Sequence, residues 1–319
     1  MFNRKDALRL ASKLAAAPYV VKRVDAWNGR RGGIILVFHE ISEARLRRHL
    51  TLLAGLYRFV SLSEFARRLR ERKSTAGLAA ITFDDGYGHV VETAAQLARK
   101  HGWPVTFYLP TRYLDTREPN WYQELKPLFE RATCNEVEID GLRLSLRDAD
   151  GRAAGLKQLD DRFRQLTSPE EIDNLLGRTR RALSASAECP ADLSLAAPVS
   201  WPRVRELAAR EELSFEAHSV NHFALSRLPA ATVRAEMEQC RARIEEATGR
   251  RVEHFCYPFG GPAEIGTESA GIARELFSSA TTMIRGRCRA GVDAAMLPRI
   301  PLYEQDTEET VSLKVSLAR

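Results

Sequence analysis

Cysteine is scarce in this sequence, and the cysteines that it has are not arranged in pairs. The five residues are widely spaced, their number is odd, and no CxxC motif occurs. A disulfide framework needs paired cysteines in an oxidising compartment, so the sequence argues against one and predicts a reducing environment. The residues are Cys134, Cys189, Cys240, Cys256 and Cys288.

Long hydrophobic runs are also missing. Near the N-terminus the longest uncharged stretch, residues 14–21, is too short to span a bilayer. The basic start is followed by neither a convincing apolar core nor a cleavage site, so we expect no signal peptide and a cytoplasmic protein. Residues 1–30 are expected to form an amphipathic helical segment, with Ala7, Leu10 and Leu14 on one face. Docking on the protein's own surface and peripheral contact with the inner face of the membrane stay open as interpretations.

Neither sign of charge dominates the sequence. There are 48 lysines and arginines against 42 aspartates and glutamates, which gives a net charge of +6 and a pI of about 9.2. The basic residues are scattered and do not alternate with aromatic residues, so we expect no nucleic-acid partner. A chain of 319 residues with 44% hydrophobic residues is long enough for one large α/β barrel or two ordinary domains.

Short apolar runs of strand length alternate with amphipathic helical patterns. Continuous runs at 34–38, 78–83 and 105–109 predict strands that are buried on both faces. With the helical patterns between them, they predict right-handed parallel βαβ units. After a break the rhythm resumes, and we predict further strands at 213–217, 254–257, 276–282 and 299–302.

The break at residues 115–195 is polar, charged and less regular. Alternation at 137–144 predicts a small hairpin, and helices are predicted at 156–166 and 170–184. We interpret the region as an insertion after an early barrel strand, either a lid or side subdomain over the substrate or a packed decoration. Trp121-Tyr122 within it is either a sugar-stacking platform or part of the packing of the insertion.

Reactive side chains follow the predicted strands directly. The string ITFDDG ends in Asp84-Asp85-Gly86, and the string HSVNH supplies two imidazoles, at His218 and His222. His39 and Tyr257 come at the ends of two other predicted strands. Because barrels collect their chemistry at the C-terminal ends of the strands, these residues are predicted to form one site.

One carboxylate with two imidazoles is a typical donor set for a hydrolytic metal site. Successive side chains along a strand point in opposite directions, so Asp85 can ligate an ion while Asp84 faces the attacking water as a base. His218 and His222 can close on the same ion. The alternatives are a turn with helix-capping carboxylates and ordinary surface histidines.

The strings ITFDDG, HSVNH and YPFG, in this order and at these separations, resemble the motifs of the polysaccharide deacetylases, the NodB-homology or carbohydrate esterase 4 family. The resemblance covers about 34–110 and 198–303. It implies a distorted (β/α)7 barrel over residues 31–319, carrying the polar insertion, and metal-dependent removal of acetyl groups, mostly from N-acetylated sugars.

The resemblance also implies a role for each motif residue. Asp84 corresponds to the catalytic base, and Asp85, His218 and His222 correspond to the metal ligands. The backbone N–H of Tyr257 corresponds to a donor that helps to hold the oxyanion.

The sequence departs from the common family pattern at two places. No arginine precedes the third motif, so Arg299 in LPRIP is expected to pair with Asp84, as in the poly-N-acetylglucosamine deacetylase branch. No late Leu-x-x-His supplies the general acid, and His39 in VFHEI resembles the early histidine of the same branch. A structural histidine at His39, a scaffold ion pair at Arg299 and a plain core role for Tyr257 are the alternatives.

The sequence therefore predicts a metal-dependent deacetylase that hydrolyses the acetamide of an N-acetylated sugar in a polysaccharide or glycolipid. Zinc (Zn2+) suits two imidazoles and a carboxylate best, and Co2+, Ni2+ or Mn2+ could substitute. Two alternatives stay open. One is an O-deacetylase or another C–N hydrolase on the same fold, and the other is a catalytically silent glycan-binding protein.

Overall fold

The computed structural model describes residues 32–184 and 194–318. The amphipathic segment predicted for residues 1–30 lies outside the described residues. In chain order the strands are β1 (Ile34–Phe38), β2 (Arg58–Phe59), β3 (Leu78–Phe83), β4 (Val105–Leu109), β5 (Glu136–Ile139), β6 (Leu142–Ser145), β7 (Leu213–Ala217), β8 (His254–Cys256), β9 (Ser279–Arg285) and β10 (Leu297–Pro301).

Helices follow most of the strands. They are α1 (Glu43–Ala54), α2 (Leu62–Arg70), α3 (Gly88–His101), α4 (Thr111–Thr116), α5 (Trp121–Arg131), α6 (Ala149–Phe163), α7 (Pro169–Ser184), α8 (Trp201–Ala208), α9 (Ala230–Thr248), α10 (Pro262–Ile265), α11 (Thr267–Leu276) and α12 (Glu308–Leu317). Within the described ranges no helix is long and apolar enough to cross a bilayer.

Seven parallel strands close into a barrel in the order β1-β3-β4-β7-β8-β9-β10. The barrel closes because β1 pairs with β3 on one side and with β10 on the other. The fold is distorted in two places: β2 pairs only with the first two residues of β3, and the register between β9 and β10 shifts near Leu297. The predicted distorted (β/α)7 barrel is confirmed.

A row of phenylalanines shows which side chains at the strand ends point into the barrel. Phe38, Phe83, Phe107 and Phe215 stand in register on four neighbouring strands, with ring centroids 5.2 to 5.5 Å apart. They belong to the core between the strands and the surrounding helices, where each buried ring contributes about 1.5–3 kcal/mol. Since successive side chains alternate, the residue after Phe83 turns to the inside of the barrel.

The chain between β4 and β7 contains the hairpin β5–β6 and the helices α4 to α8. The hairpin is observed where alternation predicted it. Helix α6 begins at Ala149, earlier than predicted, because the Asp148 side chain accepts the N–H of Gly151 and caps it. Trp121 is fully buried and stacks on Phe163 at 4.5 Å, which ties α5 to α6. The boundaries 115–195 of the insertion stay a prediction.

The last two barrel strands differ from their predicted positions. Strand β9 begins at Ser279, three residues later than predicted, because Leu276 is the last residue of α11. Strand β10 begins at Leu297 instead of Arg299, which places Arg299 in the middle of the strand. The cysteines that fall within the described ranges, Cys134, Cys240, Cys256 and Cys288, are all free.

Candidate active site

The residues predicted from the sequence meet at the C-terminal edge of the barrel. His39, Asp84, Asp85, His218, His222 and Tyr257 line one cavity of about 210 Å³. Arg299 is completely buried beside this cavity and contacts Asp84. The strands that deliver these residues are β1, β3, β7, β8 and β10, so the site depends on closure of the barrel.

Asp84 and Arg299 form a bidentate ion pair inside the barrel. Nη1 of Arg299 donates to Oδ1 of Asp84 and Nη2 donates to Oδ2, both at 2.7 Å. The other guanidinium donors are also used: Nε bonds the carbonyl of Thr282 at 2.8 Å, and Nη1 also reaches the hydroxyl of Thr82 at 3.2 Å. The planar fork of arginine suits this two-point contact, which fixes the orientation of the carboxylate.

The ion pair sets the charge on Asp84. Burial by itself would raise the pKa of the Asp84 carboxyl, because a charge is poorly solvated inside the barrel. The guanidinium of Arg299 outweighs burial, so the pKa lies below its usual value. Asp84 is therefore ionised at neutral pH and has lone pairs left to accept a further proton or hydrogen bond.

Asp85 lies between the two imidazoles. Its Oδ1 is 3.4 Å from Nε2 of His218 and 3.5 Å from Nε2 of His222. A tetrahedral ion with bonds of about 2.0–2.1 Å has ligand atoms roughly 3.3–3.4 Å apart, so these distances match the edges of such a site. The three donor atoms all lie within 4.8 Å of one another, and all three side chains are buried.

The hydrogen bonds of His218 prepare it for an ion. Nδ1 lies 2.7 Å from the carbonyl oxygen of Cys256. A carbonyl can only accept, so Nδ1 carries a proton, and in the neutral ring the lone pair is on Nε2, which lies beside Asp85. Metal-binding histidines are commonly held by such a bond from the second ring nitrogen.

The backbone around the donors is held in an unusual conformation. Asp85, Ser219, His222 and Phe259 all have positive φ, between 56 and 71°. Non-glycine residues rarely adopt this conformation, which costs on the order of 1–3 kcal/mol each and persists where the surroundings enforce it. Such conformations cluster at functional sites, and here they fall on both donor segments.

Glu236 is one of the residues that hold the backbone between His218 and His222 in this conformation. This carboxylate is buried, and its Oε2 accepts the N–H of Val220 at 2.9 Å and the N–H of Asn221 at 2.8 Å. The N–H of His222 is held by the hydroxyl of Ser219 at 3.0 Å. The turn between the two histidines is therefore fixed by side chains that have no ligand role of their own.

A second group of potential donors does not suit a cation. Asp84, His218 and Cys256 also lie within 4.8 Å of one another. However, Nη2 of Arg299 bonds both Oδ2 of Asp84 and Sγ of Cys256, the latter at 3.1 Å. The guanidinium already neutralises this group, so the donor set that fits a divalent ion is Asp85, His218 and His222.

His39 faces a different carboxylate oxygen of Asp85 from the one that His218 and His222 face. Its Nε2 is 3.6 Å from Oδ2 of Asp84 and 3.9 Å from Oδ2 of Asp85. About 30% of its side chain is exposed, whereas His218 and His222 are buried. The His39 side chain is therefore open to the cavity and to solvent.

The Tyr257 backbone N–H is already engaged in the barrel. It donates to the carbonyl of Thr281 at 3.2 Å, as the continuation of the β8–β9 ladder. The phenol of Tyr257 donates to the carbonyl of Ala295 at 2.8 Å. A role for this N–H in holding an oxyanion therefore requires the ladder bond to be shared or released.

Several cavity residues were not predicted from their motifs. Phe259, Met283, Asp160 and Arg164 line the same cavity, and Arg164 lies over the Phe259 ring at 4.0 Å. Phe259 is part of the YPFG string, so its place in that motif could have identified it as a residue of the site. Asp160 and Arg164 lie in α6 and are linked by a hydrogen bond of 2.7 Å. Only the three-dimensional placement of the insertion brings them to the site.

Tyr122 also lines the cavity, whereas Trp121 does not. The Tyr122 ring lies 5.2 Å from the ring of His222, and its hydroxyl is buried. Burial and the neighbouring carboxylate of Asp85 raise the pKa of the Tyr122 phenol well above its usual value. The two residues of the Trp121-Tyr122 pair therefore differ: Trp121 packs within the insertion, and Tyr122 faces the cavity.

Solved structures share this fold over almost their whole length. The Streptococcus pyogenes deacetylase PplD, in complex with acetate, has a TM-score of 0.59 at 15% identity, covering 89% of this chain and 98% of that one. IcaB from Ammonifex degensii has a TM-score of 0.58 at 18% identity, covering 89% and 97%. A de-N-acetylase from Aggregatibacter actinomycetemcomitans has a TM-score of 0.54 at 13% identity, covering 88% and 99%. At sequence identities of 13–18%, these similarities show a shared fold and nothing further.

The sequence comparison assigns the family. A search among curated proteins found no significant match. The family profile described as polysaccharide deacetylase matches residues 71–275, which contain both aspartates, both donor histidines and Tyr257. His39 and Arg299 lie outside the matched residues and reach the site through β1 and β10. The match spans more than half of the chain, and this protein belongs to the polysaccharide deacetylase family.

Proposed function

We propose that this protein is a metal-dependent deacetylase that hydrolyses the acetamide of an N-acetylated sugar in a polysaccharide or glycolipid. The proposal rests on the observation that two adjacent aspartates, Asp84 and Asp85, have different partners. Asp85 faces His218 and His222, and Asp84 is paired with Arg299. One carboxylate is thereby available to an ion and the other to a proton.

The proposed metal ligands are Asp85, His218 and His222. Two imidazoles and one carboxylate leave a position open, as in hydrolytic zinc sites, and Co2+, Ni2+ or Mn2+ suit the same donors. When bound, the ion would polarise the acetamide carbonyl and acidify a nearby water.

The remaining residues of the site would move the protons. Asp84, kept ionised by Arg299, would take a proton from the attacking water as its oxygen bonds to the carbonyl carbon. His39 would then donate a proton to the amide nitrogen as the C–N bond breaks. The products are acetate and the free amine of the sugar. Asp84 then holds the proton that came from water and His39 lacks the proton it donated, so transfer of a proton from Asp84 to His39, whose Nε2 lies 3.6 Å from Oδ2 of Asp84, or exchange with solvent would restore the enzyme.

Two similarities support an N-acetylated substrate. The Aggregatibacter neighbour is named a de-N-acetylase, and the PplD structure contains acetate. The pairing of Arg299 with Asp84 and the position of His39 match what the resemblance to the poly-N-acetylglucosamine branch implies. A cytoplasmic location, with peripheral membrane contact through residues 1–30, stays a prediction.

The proposal is tested by acetate release from matched N-acetylated and O-acetylated oligosaccharides. We expect the metal-loaded protein to release acetate from the N-acetylated members. Asp84→Asn should abolish release while the protein keeps its metal, and Asp115→Asn, which changes an aspartate bonded to Trp201 and Arg243, should retain activity.

Three outcomes would count against parts of the proposal. Release only from O-acetylated members would favour an O-deacetylase. Tight glycan binding by the metal-loaded protein without acetate release would favour a silent glycan-binding protein. An active Asp84→Asn variant would refute Asp84 as the base.

A further inference from the structure

Tyr122 reaches the candidate active site from the insertion and not from the barrel. It is the second residue of α5, directly after Trp121. Trp121 is buried and stacked on Phe163, which fixes the start of the helix against α6. Consecutive helical residues point about 100° apart, so this anchoring directs Tyr122 elsewhere, towards His222. The packing of Trp121 against Phe163 therefore fixes the direction in which the Tyr122 side chain points.

The hydroxyl of Tyr122 is buried, and within the described part of the chain no partner lies within 3.5 Å of it in hydrogen-bonding geometry. Oδ2 of Asp85 is buried without such a partner in the same way, and Asp85 is the charged residue that acts most strongly on this phenol, through its charge and a longer contact with the O–H. A buried hydroxyl without a partner costs about 1–3 kcal/mol, so native proteins rarely keep one without a use. The Tyr122 side chain belongs to the lining of the cavity that contains the proposed ligands.

The reaction proposed above needs a donor that is free to turn to the substrate. As water attacks the acetamide, negative charge develops on the carbonyl oxygen and is stabilised by donors already in place. The backbone N–H of Tyr257 is bonded to the Thr281 carbonyl. A phenol is protonated at neutral pH and can turn its O–H without breaking any bond of the barrel.

We propose that the hydroxyl of Tyr122 donates a hydrogen bond to the carbonyl oxygen of the scissile acetamide as that oxygen becomes an oxyanion. Tyr122 is then a catalytic residue supplied by the insertion. The inference rests on the proposed deacetylase function and gives the insertion a part in the chemistry. It also explains why one wall of the cavity, with Tyr122, Asp160 and Arg164, comes from outside the barrel.

The test compares Tyr122→Phe with the wild-type protein. We expect kcat for acetate release from penta-N-acetylchitopentaose to fall by about 10²-fold, with KM changed little, because the donor acts on the developing charge. The variant should keep its metal. Its thermal midpoint should be equal to or above that of the wild type, since the change removes a buried hydroxyl without a partner.

A second readout does not depend on turnover. The same oligosaccharide carrying a methylphosphonamide in place of one acetamide mimics the tetrahedral oxyanion. Its affinity, measured by calorimetry, should fall in Tyr122→Phe by a factor close to the fall in kcat/KM. The matched control is Tyr57→Phe, which removes a buried phenol bonded to Arg287 and should change neither quantity.

The outcomes separate this role from others. Unchanged kcat and unchanged phosphonamide affinity would refute the inference while leaving the deacetylase proposal intact. A fall in metal affinity of 10- to 100-fold would instead make Tyr122 a residue that orients Asp85, which also refutes it. If the metal-loaded wild type releases no acetate from any N-acetylated or O-acetylated glycan, the proposed function fails first and the inference fails with it.

Discussion

Arg299 crosses the inside of the barrel to Asp84, and both of its terminal nitrogens lie 2.7 Å from the carboxylate oxygens. The two residues are far apart in the sequence: Arg299 lies in β10, and Asp84 directly follows β3. Neither side chain has appreciable exposure to solvent. The pair therefore controls the charge of the proposed base without competition from water.

Replacing Arg299 by Met should move the pH dependence of the reaction. Without the guanidinium, burial dominates and the pKa of Asp84 rises, so the base becomes protonated over a wider range of acidic pH. We expect the acid limb of the kcat/KM profile to shift to higher pH. Loss of one partner of a buried pair should also lower the free energy of unfolding by about 3–5 kcal/mol.

Arg287→Met provides the control for this shift. Arg287 is also buried and bonds the carbonyls of Gly32 and Val315, away from the site. This variant should lose stability but keep the acid limb of the wild type. An acid limb that stays in place in Arg299→Met would show that Arg299 does not set the charge of the base.

His39→Ala should separate protonation of the leaving group from the rest of the reaction. A general acid typically contributes about 10²–10⁴-fold, and we expect a loss of this size in acetate release from amide substrates. Hydrolysis of p-nitrophenyl acetate should fall much less, because its leaving group needs no proton. Metal content should not change, since the His39 imidazole lies outside the proposed donor set.

The exposed histidine His101 gives a matched control, because it stacks on Trp103 and is not among the residues that line the cavity. His101→Ala should retain wild-type rates on both substrates. Equal losses of amide and ester hydrolysis in His39→Ala would argue that His39 has a structural role or that another residue is the acid.

Glu216 should make stability depend on pH. Its carboxyl is buried and accepts the N–H groups of Glu253 and His254, both at 2.8 Å. Burial raises its pKa from 4.5 to about 8, so between these values the folded protein keeps a proton that the unfolded chain has released. The free energy of unfolding should therefore fall as pH rises through this window, by up to about 1.4 kcal/mol per pH unit.

Glu216→Gln keeps an acceptor oxygen for the two N–H groups but cannot ionise. Urea unfolding at several pH values between 4.5 and 8 should show a smaller decline for this variant than for the wild type. Identical slopes for the two proteins would mean that Glu216 is ionised or does not titrate in this range.

The barrel was largely predictable because its strands carry continuous apolar runs. The residues of β1, β3, β4 and β7 match the predicted strands residue for residue, since burial on both faces leaves a strong local signal. Strand β9 was predicted three residues too early, because Leu276 continues the apolar face of α11. Local pattern alone does not tell where a helix gives way to a strand.

The composition of the site was predictable only where residues fall in motifs. Asp84, Asp85, His218 and His222 follow strands directly, so their strings locate them in the sequence. Tyr122 is different, because its approach depends on the stacking of Trp121 on Phe163, about forty residues further along the chain. Contacts between distant segments of an insertion leave no periodicity that could be detected in advance.

The measurement that tests the central claim most directly is the metal content of the purified protein, measured by mass spectrometry beside the double variant His218→Ala/His222→Ala. We predict about one divalent ion per chain in the wild type after reconstitution with zinc, and none held tightly by the variant. A wild-type protein that binds no ion after reconstitution with zinc, cobalt or nickel would contradict the account.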